Sequence, residues 1–125
     1  MELRGIRLVW IVVKDLEVAL DFYIRVAGLS LREKNAEYGW AELSGPEGIL
    51  LGIAQESASM DEKAGSNGVV ALSVKNLEAA RVHFIKQGAT LVGEVVEVPG
   101  HVKMQTFVDI DGNKMQLVEE LFKGL

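Results

Sequence analysis

The sequence predicts an α+β fold made of two tandem βαβββ modules, whose eight strands form a curved, cup-shaped sheet with the helices on its outer face. Three observations lead there. VKDLEVALDFYIRVAG (13–28) aligns with VKNLEAARVHFIKQGA (74–89) at a constant offset of 61, and self-similarity at a fixed period marks an internal duplication. A turn signal recurs late in each half, GPEG at 45–48 and DIDG at 109–112, at an offset of 64. Around these markers, apolar runs of strand period and stripes of helical period follow one another in the same order twice.

The first strand is RLVWIVV (7–13), rich in β-branched residues. Asp15 is an N-cap and Glu17 favours the first helical turn, after which Leu16, Ala19, Leu20, Tyr23 and Val26 recur on one helical face. Strand-like segments follow at about 30–34, 37–44 and 48–54, with Pro46 in the turn between the last two, where its fixed φ helps and no ladder bond is lost. The second module repeats the pattern: a strand through Val70, Leu72 and Val74, a helix begun by Asn76 and Glu78, then strands at 90–98, 102–108 and 114–120. In the last hairpin, Asp111, Gly112 and Asn113 form the turn, because Gly and Asn tolerate positive φ. Module one spans about 5–57 and module two about 67–120, joined by a polar linker at 58–66 within a single domain of 125 residues.

A chain 49% apolar can bury a core without staples, and the absence of Cys excludes disulfide frameworks, thiolate metal sites and Cys nucleophiles. The apolar run near the N-terminus is six residues long and followed by charge, too short for a signal segment or a membrane span. The net charge is −5, with basic residues scattered along the chain. Nucleic acid and membrane are therefore not expected partners, and the expected location is cytoplasmic.

Alternation along the strands assigns faces. Val9, Ile11 and Val13, with Ile49, Leu51 and Ile53, should lie under the first helix, as should Val70, Leu72, Val74, Met115 and Leu117 under the second, with Leu43 and Phe107 beside them. The open face then carries Leu8, Trp10, Val12, Trp40, Glu42, Leu50, Gly52 and Ala54 in module one, and Val69, Ala71, Ser73, Met104, Thr106, Lys114, Gln116 and Val118 in module two. Two Trp and few polar groups suit an aromatic or apolar guest, although the same residues would also fill a small barrel or a dimer seam.

The duplicated unit, VKDLEVALDFY and FVDIDGNKMQLVE, the last close to a D-P-D-G-N pattern, resemble the vicinal oxygen chelate superfamily of glyoxalase I, extradiol dioxygenases, fosfomycin-resistance enzymes and bleomycin-resistance proteins. The resemblance covers about residues 6–120. It implies dimers with sites between modules and, in metal-dependent members, a divalent ion held by one residue from the first and one from the last strand of each module, usually His and Glu. The matching positions are Leu8, Gly52, Val69 and Gln116. Three of these side chains have no lone pair, and a single amide oxygen cannot hold such an ion against water. Neither a metal nor another cofactor is expected. Gln116 needs no charge if there is no cation to neutralise, and its amide can offer a donor and an acceptor to a polar guest.

The expected ligand-binding residues are Trp10, Trp40, Glu42, Met104, Thr106 and Gln116. Trp10 and Trp40 can stack on a planar or cationic ligand. Glu42 is a weak catalytic candidate: buried in the cup, its pKa should rise, and it could serve as a general base or bind a cation. His83 reads as a helix-surface residue, His101 as a loop residue after Pro99-Gly100, and Glu94 and Glu97 as solvated. The expected function is metal-free binding of a small molecule, such as drug sequestration, by a homodimer. The alternative is a lyase, isomerase or dioxygenase-like enzyme that uses Glu42 or relocated metal ligands.

Overall fold

The computed structural model describes residues 7–58, 62–65, 69–100 and 102–121. The chain divides into two compact units, Met1–Asn67 and Gly68–Leu125. In the first, β1 (Leu8–Val13) leads into α1 (Leu16–Asp21), which continues as a π-helical stretch at Phe22–Val26, followed by β2 (Ser30–Asn35), β3 (Trp40–Ser44) and β4 (Leu50–Gln55). The second has β5 (Val70–Ser73), α2 (Leu77–Lys86), β6 (Thr90–Val98), β7 (Val102–Val108) and β8 (Lys114–Glu120). Each unit forms its own four-stranded sheet, in the order β1-β4-β3-β2 and β5-β8-β7-β6. The first and last strands of each module pair in parallel, the others antiparallel. The α+β fold of two βαβββ modules is thus observed.

Both helices start as the sequence predicts. The Asp15 carboxylate accepts from Val18 N at 3.0 Å and the Asn76 side chain from Ala79 N at 2.8 Å, each satisfying an amide that has no partner within the helix. A second acceptor comes from the sheet: Leu16 N donates to Gln55 Oε1 at 2.9 Å, and Leu77 N to Glu119 Oε1 at 2.7 Å. Gln55 and Glu119 are themselves 64 positions apart, so the duplication extends to this clasp.

The apolar stripe of the first helix is buried throughout, with Leu16, Ala19, Leu20, Tyr23 and Val26 above Ile11, Val13, Leu43, Leu51 and Ile53. In module two, Leu77 and Phe84 cover Phe107, Met115 and Leu117, and the Phe84 and Phe107 rings meet edge to face at 4.8 Å. Val70, Leu72 and Val74 are half-buried. Two expected core residues are exposed, Val9 at 42% and Ile49 at 46%. Val9 lies toward the start of β1, away from the end that feeds the helix. Ile49 precedes β4, still in the turn set by Gly48 at φ 90°. The strand expected at 37–44 begins only at Trp40, because Ala36–Tyr38 form a 3-10 turn ended by Gly39 at φ 62°.

The last hairpin turn is held more tightly than its composition suggests. Asp109 is buried, and its carboxylate accepts from Asp111 N, Asn113 N and Asn113 Nδ2 at 2.8–2.9 Å. Gly112 supplies the left-handed conformation at φ 81°. Asn113 is fully buried, so it works as an internal strut rather than a solvent-facing turn residue.

Candidate functional site

The sheet face of module one turned away from its helix gathers three of the predicted residues. Trp10 pairs with Gly52 across β1 and β4, and Glu42 pairs with Gly52 across β3 and β4. Directly paired residues share a face, so Trp10, Gly52 and Glu42 form a row over three strands. Trp40, two residues before Glu42 on β3, lies on the same face opposite Ala54. The two indoles meet edge to face, their centroids 6.3 Å apart and their planes inclined at 62°.

Gly52 is the floor of this arrangement. A Cβ placed on it would lie 2.4 Å from Trp40 Cη2, 2.8 Å from Cζ2 and 2.9 Å from Trp10 Cβ. Trp40 therefore rests on bare backbone and fills the volume a side chain at 52 would need. The indole is tethered there, its Nε1 donating to Glu42 Oε2 at 3.0 Å.

Glu42 is 6% exposed and fully engaged. Besides Trp40, Arg7 straddles it, Nη2 donating to Oε1 at 3.0 Å and to Oε2 at 3.1 Å. The Trp40 N–H and the Arg7 guanidinium together outweigh desolvation, which acts the other way, and hold the carboxyl below its ordinary range. This corrects the expectation of a raised pKa, which follows from burial alone and omits both donors. A carboxylate so held is a poor proton acceptor near neutral pH. Arg7, the cation of the pair, was not singled out by the sequence reading. It precedes β1 at the alternate parity, and only the structure shows its side chain reaching Glu42.

In module two the predicted residues also share a face. Thr106 pairs with Gln116, which pairs in turn with Ala71, and Met104 pairs with Val118. Met104, Thr106 and Gln116 are half-buried, while Val69, just before β5, is 55% exposed. A fully buried polar side chain of this module lies on its other face. Gln105, fully buried, accepts from Arg81 Nε at 2.9 Å and donates to the carbonyls of Val92 and Gly93 at 3.0 and 3.1 Å. Those carbonyls lie where the register shift between Val92 and Val96 begins, so Gln105 satisfies a bulge and serves the fold.

The four positions where the resemblance implies metal ligands do not fit a divalent ion. Leu8 and Val69 are aliphatic, Gly52 has no side chain and lies under Trp40, and Gln116 alone carries an oxygen. Among the described residues no three His, Cys, Asp or Glu are grouped so as to hold a metal. His83 is exposed on α2 with its ring against Phe84, Glu94 and Glu97 are exposed on β6, and His101 lies outside the described residues. A shallow groove between α1 and β2, lined by Leu20, Ile24 and Leu31, has its charges already paired as Lys34–Glu17 and Arg25–Asp21. No helix among the described residues is long and apolar enough to cross a membrane.

Comparison with known proteins agrees with the fold. The model of the Glyoxalase/Bleomycin resistance protein/Dioxygenase superfamily matches residues 5–117. Lactoylglutathione lyase of Escherichia coli O157:H7 is 31% identical over 121 residues, covering 90% of each chain. A superfamily member from Sphaerobacter thermophilus superposes with a TM-score of 0.81 at 23% identity, over 94% of this chain and 98% of its own. TnmS3, an antibiotic binding protein from Streptomyces sp. CB03234, superposes with a TM-score of 0.80 at 23% identity, over 96% and 98%.

Proposed function

Because the chain belongs to the Glyoxalase/Bleomycin resistance protein/Dioxygenase superfamily, we propose that it binds a small, partly aromatic or apolar molecule without a metal ion, as a cytoplasmic homodimer that sequesters its ligand. The observation that carries this reading is the Trp40 indole seated on Gly52. Where a metal-dependent relative would direct a carboxylate at an ion, this chain has an aromatic ring. Trp10, 40% exposed beside it, offers a stacking surface. Met104, Thr106 and Gln116 would meet a ligand on the corresponding face of module two, Gln116 through its amide. An antibiotic binding protein of the same fold supports sequestration as the class of function.

The lyase relative at 31% identity favours a second reading, an enzyme of the superfamily with its metal ligands elsewhere. Metal analysis of protein purified without chelators, together with a thermal-shift screen of planar aromatic compounds, separates the two. Sequestration predicts far less than one divalent ion per chain, and stabilisation by at least one compound that Trp10→Ala abolishes. One ion per chain, lost on chelation together with lyase or isomerase activity, would establish the enzyme instead.

A further inference from the structure

We infer that Arg7 makes this face selective for planar aromatic ligands bearing an anionic substituent, a carboxylate or its equivalent. The inference rests on the proposed ligand site and names the ligand class it takes. Arg7 spends a single nitrogen on Glu42, since both of its bonds leave from Nη2. A guanidinium has five N–H donors in a planar fork, and among the described residues Nε and Nη1 have no partner. The Arg7 side chain is 65% exposed, whereas that of Glu42 is 8% exposed. The carboxylate thus fixes one edge of the guanidinium from below and leaves the rest facing outward.

The aromatic partner is close by. Trp10 and Glu42 flank Gly52 on neighbouring strands, so their backbones are about 10 Å apart, two strand spacings. A bicyclic aromatic acid stacked on Trp10 spans that distance and brings its acid group to the free edge of Arg7. Glu42 is the acid nearest the indoles, and its two oxygens already accept three hydrogen bonds. What remains unsatisfied at Arg7 is donor capacity, which an anion fills.

The test compares 2-naphthoate with 2-naphthamide, which share a ring system and differ in charge. The chain has two Trp residues, and both are at this site, so intrinsic fluorescence reports binding directly. Naphthoate should quench saturably and bind at least about tenfold more tightly than the amide, the ordinary worth of a hydrogen bond to a charged group. In Arg7→Gln the ratio should fall to within about twofold. Because that variant leaves Glu42 buried without its cation, Arg7→Gln combined with Glu42→Gln should show the same loss of preference in a chain with no unpaired buried charge. Equal affinities in the unaltered protein, or a preference that survives both variants, would overturn the inference. If Trp10→Ala still abolished binding of both probes in that case, the aromatic site would stand without its anion selectivity. Failure of both probes to quench at millimolar concentration would overturn the inference and the site together.

Discussion

Gly52 illustrates how one residue can remove a ligand from one position of a family site. The Trp40 ring lies where a side chain at 52 would begin, and the ring cannot retreat without giving up its hydrogen bond to Glu42. Gly52→Ala should therefore destabilise by about 1–3 kcal/mol, the usual cost of overpacking a closed site. In a Trp40→Ala background both ring contacts disappear and only the 2.9 Å approach to Trp10 Cβ remains, so the same substitution should cost less, about 1 kcal/mol or under, and the pair should be non-additive in a double-mutant cycle. Urea unfolding of the four proteins measures this. Additive costs would mean that Trp40 does not rest on Gly52 in solution. For the same reason, Gly52→Glu alone would not recover a metal ligand, since the carboxylate would have to displace the indole first.

At the scale of elements, each helix is seated by its own sheet. An amide at a helix start has no partner within the helix, and here the last strand of each module supplies one, through Gln55 for Leu16 and Glu119 for Leu77. Glu119→Ala should cost about 1 kcal/mol, typical of a lost helix cap. Glu119→Gln, which keeps the acceptor and loses only the charge favoured by the helix dipole, should cost about 0.5 kcal/mol or less. Hydrogen exchange at the Leu77 amide is the sensitive readout, expected to speed up in the Ala variant and to stay close to normal in the Gln variant. Unchanged protection in Glu119→Ala would remove the clasp from the account of how α2 is held. The hairpin turn follows the same logic of local polar groups tied to backbone, with the Asp109 carboxylate serving two amides and the Asn113 side chain.

For the whole molecule, the Arg7–Glu42–Trp40 network ties stability to pH. The Glu42 carboxyl is held below its ordinary value of 4.5. Its ionised form thus contributes stability that is complete above that value and is lost as pH falls through the lower, folded-state pKa. Relative to Glu42→Gln, the unaltered protein should be more stable at neutral pH, and its advantage should shrink as pH falls below about 4.5 and disappear once the folded-state carboxyl is protonated. Chemical unfolding across that range tests it, and an advantage independent of pH would show that the charge of Glu42 contributes nothing.

Much of this fold was legible in the amino-acid order because the features concerned are local. The stripe from Leu16 to Val26, the caps at Asp15 and Asn76, and the turn glycines act through neighbours a few residues away, and an internal duplication doubled each signal. Strand alternation likewise brought Trp10, Trp40 and Glu42 to one face before any contact was known. Those signals settled the order of the elements and the residues that stand at the four family positions, but not the strand order or the division into two four-stranded sheets. Only the tertiary structure decided what those residues do to one another. Arg7 and Glu42 are 35 positions apart, Leu16 and Gln55 39, and Leu77 and Glu119 42. No periodicity encodes which long side chain bends across a strand to meet a buried acid. Burial alone pointed to a raised pKa for Glu42, and the donors folded in around it reversed that sign, because in a low-dielectric site the nearest hydrogen bonds outweigh the loss of water.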